Sequence, residues 1–249
     1  MNARVFFLGT GAAVPVTRGL PCIAVKADSN IYLFDVGEGC QSKMLKAGLS
    51  PLKVKAVFVT HPHGDHYLGL PGVIQTMGLT GRKEPLKLLL PRELDEYFRL
   101  ILERKLLKPG FPVEFTVLAN GEVYRDEKIS VRAYPVNHGV EAYGFHVAVA
   151  GKTLCYTGDT MPCSSVVENC RGVDVLIHES TFTSDMGPEA HEEYHSTTRD
   201  AASAALEAGA ASLVLTHISA RYSDEDVLRD GLRFFYNTVV ARDMMILYL

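Results

Sequence analysis

The sequence predicts a mixed α/β protein in which two β-sheets pack together beneath outer helices. Three observations carry this expectation. Short runs rich in Val, Ile, Phe and Tyr recur along all 249 residues. Helical periodicity falls between some of them, and the second half repeats the β-then-α style of the first.

In the first half, strand-like runs cover Arg4 to Leu8, Ile23 to Ala27, Ile31 to Asp35, Ala56 to Thr60 and Leu86 to Leu90. Glu38 to Ala47 reads as a helix with Met44, Leu45 and Ala47 inward, and Arg92 to Leu107 as a longer one ending near Lys108-Pro109-Gly110. In the second half, strands are expected at Ile129 to Pro135, Tyr143 to Val149, Thr153 to Thr157, Val173 to His178 and Ser212 to Thr216. Helices are expected at Thr198 to Ala208 and Asp224 to Tyr236. No short-period repeat suggests a solenoid.

Apolar residues make up 47% of the chain, enough for a large core, and no composition break marks a linker, so residues 1–249 are expected to form a single domain. The net charge of −4 gives no global basic field, which leaves a local groove as the only electrostatic route to nucleic acid. The apolar stretch at the N-terminus is too short for a secretory signal, and no run of about 18 apolar residues suggests a membrane span. A soluble, cytoplasmic protein is the expectation. Five cysteines, Cys22, Cys40, Cys155, Cys163 and Cys170, are an odd number without a C-x-x-C pair, so neither disulfides nor a cysteine zinc site is expected. Cys22 and Cys155 read as small buried thiols within strands.

The polar residues that end the apolar runs carry the functional signal. Strand-like segments stop at His61, Asn137-His138, Gly158-Asp159, His178-Glu179 and His217, so five strands each deliver a His or Asp to what can be one sheet edge. The first of these opens His61-Pro62-His63-Gly64-Asp65-His66, three imidazoles and a carboxylate within six residues. A merely solvated loop is disfavoured because Val57-Phe58-Val59-Thr60 before it and Tyr67-Leu68-Gly69-Leu70 after it tie it to the core. Imidazole and carboxylate donors suit zinc, with manganese or iron as competitors. Four ligands so close do not fit one ion comfortably. His61 and His63 can face one metal, and Asp65 and His66, beyond the Gly64 turn, a second. His138, Asp159 and His217 are the available further ligands, with Asp159 suited to bridge. Two ions about 3.5–4 Å apart clamp the attacking and leaving oxygens of a hydrolytic displacement and lower the pKa of water between them.

The H-x-H-x-D-H pattern with later His, Asp and His at strand ends resembles the metallo-β-lactamase superfamily, whose fold is a four-layer αββα sandwich. Within it the chain is most similar to the ribonuclease Z family of tRNA 3′-processing endonucleases. The likeness extends from Phe7-Leu8-Gly9-Thr10-Gly11 through Phe34-Asp35-Val36-Gly37-Glu38-Gly39, Tyr156-Thr157-Gly158-Asp159-Thr160, His178-Glu179-Ser180-Thr181-Phe182 and His195-Ser196-Thr197-Thr198 to Thr216-His217-Ile218-Ser219-Ala220-Arg221-Tyr222. The resemblance implies His61, His63 and His138 on one metal, Asp65, His66 and His217 on the other, and Asp159 bridging. It also implies a homodimer and a catalytic role for His195, as general acid or stabiliser of the phosphate transition state. Taken alone, His195 reads as a histidine ahead of a helix N-terminus. Asp65 is expected to orient the nucleophile while binding metal, and Glu179 to hold His195. His178 has no assigned role. Arg221 is a candidate phosphate contact, and Arg18, Lys43, Lys46, Arg82 and Lys83 are candidates to line an RNA path.

Two departures from the family pattern concern RNA recognition. About 21 residues separate His138 from Asp159, where the family carries a protruding tRNA-gripping arm of tens of residues, and the early basic loop reads Pro15-Val16-Thr17-Arg18-Gly19. The leading expectation is therefore a two-metal endoribonuclease that removes the 3′ trailer of precursor tRNA. The alternatives are an arm-less phosphodiesterase for small cyclic or ribose phosphodiesters and, less in keeping with the complete ligand set, a non-catalytic binding protein.

Overall fold

The computed structural model describes residues 2–249. Two seven-stranded mixed sheets form the centre. The first half supplies β1 (Ala3–Gly9), β2 (Cys22–Ala27), β3 (Asn30–Val36), β4 (Val54–Phe58), β5 (Leu86–Leu90) and β6 (Val113–Val117), with helices α1 (Cys40–Lys46), α2 (Gly64–Tyr67), α3 (Leu70–Leu79) and α4 (Arg92–Glu103) between them. The second half supplies β7 (Gly121–Arg125), β8 (Ile129–Pro135), β9 (Tyr143–Val149), β10 (Lys152–Tyr156), β11 (Val175–Glu179), β12 (Leu213–Thr216) and β13 (Thr238–Val240). Its helices are α5 (Ser164–Asn169), α6 (Gly187–Glu192), α7 (Thr198–Ala208) and α8 (Asp224–Leu232). A last strand, β14 (Met245–Tyr248), returns to the first sheet beside β1.

The strand orders are β14-β1-β2-β3-β4-β5-β6 and β13-β12-β11-β10-β9-β8-β7. Alternation puts Phe7, Val25, Phe34 and Phe58 of one sheet against Phe145, Val147, Leu154 and Ile177 of the other. Phe34, Phe58 and Phe145 meet with ring centroids 4.7–5.6 Å apart. The opposite face of the first sheet buries Leu33, Val57 and Leu88 under Met44, Ile74 and Phe98 of α1, α3 and α4. That of the second buries Cys155, Leu176 and Leu215 under Val166, Ala201, Ala205 and Val227 of α5, α7 and α8. The result is the expected αββα sandwich.

Several strands match the sequence reading to the residue, because their burial alternates or saturates over the whole run. Leu45 does not: it is 52% exposed, and α1 buries Met44 alone of the three residues expected to face inward. The cysteine reading also needs correction. Cys22 is joined to Cys40 and Cys155 to Cys170, leaving Cys163 free. An odd count and the lack of C-x-x-C spacing say nothing about pairing across elements. Here the start of β2 meets the start of α1, and β10 meets the end of α5. Among the described residues no helix is long and apolar enough to cross a membrane.

Candidate metal centre

The parallel strands β3–β4 and β10–β11–β12 all end on one edge of the sandwich, as does β8, and their C-terminal ends carry the polar residues. β4 leads through Thr60 into His61 and His63, and α2 presents Asp65 and His66. β8 delivers His138, β10 delivers Asp159, β11 ends on Glu179, and β12 is followed by His217. His195 comes from the segment between α6 and α7. Close backbone passage makes this convergence possible. A Cβ on Gly37 would lie 2.3 Å from the Asp65 carbonyl, and one on Gly69 would lie 2.1 Å from the Gly37 carbonyl. Only glycine lets the loop after β3 run against the helix carrying Asp65 and His66.

The side chains come together in two groups. His61, His63 and His138 converge, with His61 Nε2 and His138 Nε2 each 3.1 Å from His63 Nδ1. Asp65, His66 and His217 form a second group, His66 Nε2 and His217 Nε2 lying 3.7 and 3.5 Å from Asp65 Oδ2. Asp159 Oδ2 stands between them, 3.6 Å from His61 Nε2, 3.3 Å from His66 Nε2 and 3.4 Å from His217 Nε2. His66 Nε2, Asp159 Oδ1 and His217 Nε2 are buried without a hydrogen-bond partner. Three such orphaned atoms around one space would be costly in a protein that keeps it empty, whereas divalent ions would satisfy all three. Donor types and positions thus fit two divalent metal ions.

Protein groups hold the imidazoles from behind. His66 Nδ1 donates to Asp35 Oδ2 at 2.8 Å, and Asp35 also accepts from Thr60 N and the Tyr156 hydroxyl at 2.8 and 2.7 Å. His217 Nδ1 donates to Thr181 Oγ1 at 2.8 Å, His138 Nδ1 to the Tyr194 carbonyl at 3.0 Å, and His61 Nδ1 to Thr60 Oγ1 at 2.9 Å. These bonds fix the tautomers so that Nε2 of each ring faces the centre. Asp35, Thr181 and Tyr194 were not singled out as site residues from sequence. For Asp35, a carboxylate at the end of a wholly buried strand was the available signal. Asp35, Tyr194 and His217 adopt φ of 56°, 59° and 55°, a left-handed backbone that side-chain-bearing residues rarely take.

His195 lies beside this centre, within a group shared with Asp159 and His217. Its Nδ1 is 2.8 Å from Glu179 Oε1. Glu179 also accepts from Thr160 N at 3.1 Å, Thr181 N at 3.0 Å and Thr181 Oγ1 at 2.8 Å. Burial would favour neutral imidazole, but the Glu179 carboxylate and Asp159 beyond it push the His195 pKa up to about 9. Burial likewise opposes ionisation of Glu179 and Asp159, yet the adjacent imidazoles hold both below the usual carboxylate range, Asp159 far below.

Asp65, Asp159, His195 and His217 open into a cleft of about 560 Å³, walled by Ala12, Val14 and Arg221. Arg221 is exposed, lies 5.1 Å over the Phe182 ring and has no ion-pair partner among the described residues, so it is free to meet an anion. Three of the other basic candidates are committed elsewhere, whereas Lys46 and Lys83 are exposed. Arg18 is paired with Asp224 and Lys43 with Asp243, while Arg82 is 3% exposed and donates to the carbonyls of Glu84 and Pro85. These three brace the structure instead of lining an RNA path. The 138–159 segment is filled by β9, a tight Ala150-Gly151 turn and β10.

Comparison with known proteins gives a consistent picture. Residues 31–218 match the family described as the β-lactamase superfamily domain. The chain is 36% identical to the ribonuclease Z of Methanothermobacter thermautotrophicus, covering 97% of this chain and 95% of that one. It is 35% identical to the ribonuclease Z of Sulfurisphaera tokodaii, covering 96% of each. That alignment runs over 288 positions against a chain of 249 residues, so the relative carries stretches without a counterpart here. The crystal structure of the short form of human tRNase Z superposes with a TM-score of 0.84 at 30% identity, covering 98% of both chains.

Proposed function

The chain belongs to the β-lactamase superfamily and, within it, to the ribonuclease Z family, and from that premise we propose how its residues cut RNA. It is a metal-dependent endoribonuclease that removes the 3′ trailer of precursor tRNA. The observation that carries the reading is the convergence of seven His and Asp donors beside a histidine held by a buried glutamate.

In this reading His61, His63 and His138 hold one ion, Asp65, His66 and His217 the other, and Asp159 both. The nitrogen-rich donor set favours zinc, with manganese or iron as substitutes. Bound there, two such ions would supply Lewis-acid polarisation of the phosphate and would lower the pKa of water toward neutrality. Asp65, which lines the cleft, would orient the attacking water with the carboxylate oxygen that is not engaged by His66 and His217. His195 enters the reaction protonated and delivers its Nε2 proton to the ribose 3′ oxygen as the P–O bond breaks. Glu179 keeps His195 turned toward the cleft and stabilises its charge. Arg221 meets a phosphate flanking the cut. We take the cytoplasm as the compartment and a homodimer as the working form, expectations that follow from the substrate and from the family.

A second reading, hydrolysis of small phosphodiesters, is favoured by the two-residue turn between β9 and β10, which offers no projection to reach a distant part of tRNA. Cleavage-site mapping on a 3′-extended precursor tRNA, with the zinc- or manganese-loaded protein and D65A as control, separates the two. A single cut after the discriminator base supports the tRNA reading. Hydrolysis of a chromogenic phosphodiester without any cut in the precursor would overturn it and leave the metal chemistry standing.

A further inference from the structure

On the outer face of the second sheet, α5 and α7 leave a separate cavity of about 340 Å³, whose lining includes Cys163, His178, Asp200 and Glu207. His178 forms its floor. The residue is 2% exposed, and its Nδ1 donates to the Glu179 carbonyl at 2.7 Å. That bond leaves Nε2 as an unprotonated acceptor with no hydrogen-bond partner among the described residues, aimed into the cavity. Burial lowers the His178 pKa, so the ring stays neutral. The side chain is thus almost wholly enclosed by protein while this one acceptor stays open to the cavity.

The rest of the lining adds further acceptors. Asp200 uses only Oδ2 in its bonds to Thr197 and His191, leaving Oδ1 open. Glu207 is exposed seven residues further along α7, about 10 Å up the helix axis. No Lys or Arg lines the cavity, so an anion would meet two carboxylates and no counter-charge. Val166, Val167 and Ala204 provide an apolar wall between the acceptors.

We propose that this cavity is a binding site for an aliphatic polyamine cation, its terminal ammonium groups on Asp200 and Glu207, an N–H directed at His178 Nε2, and its methylene chain along Val166, Val167 and Ala204. The site is distinct from the metal centre and takes a ligand of opposite charge to RNA.

Spermidine is a suitable probe because its chain is long enough to span the seven-residue offset of Asp200 and Glu207 along α7. Titrated calorimetrically into the metal-loaded protein without RNA, it is expected to bind saturably at one equivalent per chain. It should also slow alkylation of Cys163 by iodoacetamide at least fivefold, reporting occupancy at this cavity. E207Q is expected to weaken binding at least fivefold, and A204W, which fills the cavity from the exposed side of α7, to abolish it; both should keep basal hydrolysis unchanged. Absence of saturable binding to the unaltered protein, equal binding by A204W, or equal protection of Cys163 by uncharged triethylene glycol would each overturn the proposal.

Discussion

Glu179 Oε1 lies 2.8 Å from His195 Nδ1, and the same carboxylate is fastened by the backbone of Thr160 and by both the backbone and hydroxyl of Thr181. The imidazole is thereby held by a group that cannot itself move. Replacing His195 by Ala is expected to slow cleavage about 10²–10⁴-fold, as for loss of a general acid, with metal content unchanged. In E179Q the ring keeps a hydrogen-bond partner but loses the charge that raises its pKa. A general acid works while protonated, so activity falls as pH rises through that pKa. The alkaline limb of the pH–rate profile should therefore move to lower pH in E179Q, and an unmoved limb would show that His195 is not the proton donor.

Asp65 faces the cleft and groups with His66 and His217. D65A is expected to abolish hydrolysis while leaving a folded protein, checked by circular dichroism and by metal analysis showing loss of about one ion per chain. Full activity in D65A would sink the two-metal mechanism.

Asp35 never reaches the centre, yet it accepts from His66, Thr60 and Tyr156. D35N is expected to weaken metal binding about 10–100-fold by releasing the His66 ring, a loss that excess metal in the assay should partly restore.

Asp126 ties the two sheets at the end remote from the metals, accepting from the Tyr32 and Tyr124 hydroxyls at 2.6 and 2.9 Å and from the backbone of Lys128 and Ile129. Burial opposes its ionisation, but these hydrogen bonds lower its pKa below 3.8. Since the folded value lies below the unfolded one, the stabilisation is present above the unfolded pKa and is lost as pH falls through the folded pKa. D126N is therefore expected to be less stable than the unaltered protein at pH 7 and to lose that difference in acid, as thermal melts between pH 2 and 7 would show.

The donors grouped at the metal centre were legible in the sequence because each is a residue type with few other uses at the end of a buried strand. His61 to His66 stand after an apolar run, and His138, Asp159 and His217 repeat the placement. What supports them was less legible. Asp35 ends a strand that is buried throughout, and nothing in its neighbours says that it faces His66 and not solvent. The left-handed backbone of His217 and Tyr194 is imposed by tertiary contacts that local propensity does not encode. Arg18 and Lys43 read as candidates for an RNA path because their partners, Asp224 and Asp243, lie about two hundred residues away. The cysteine pairs escaped for a similar reason, the partners being 18 and 15 residues apart on different elements. β13 and β14 are too short to show periodicity and form because a sheet edge awaits them.

Four of the five imidazoles grouped with the acids in the proposed metal set, His61, His66, His138 and His217, are clasped from behind by Thr60, Asp35, the Tyr194 carbonyl and Thr181. Only His63 bonds to nothing but its fellow imidazoles among the described residues, and it is also exposed. Rings held in this way have little rotational freedom left to lose when a metal binds, so that cost would fall mainly on His63.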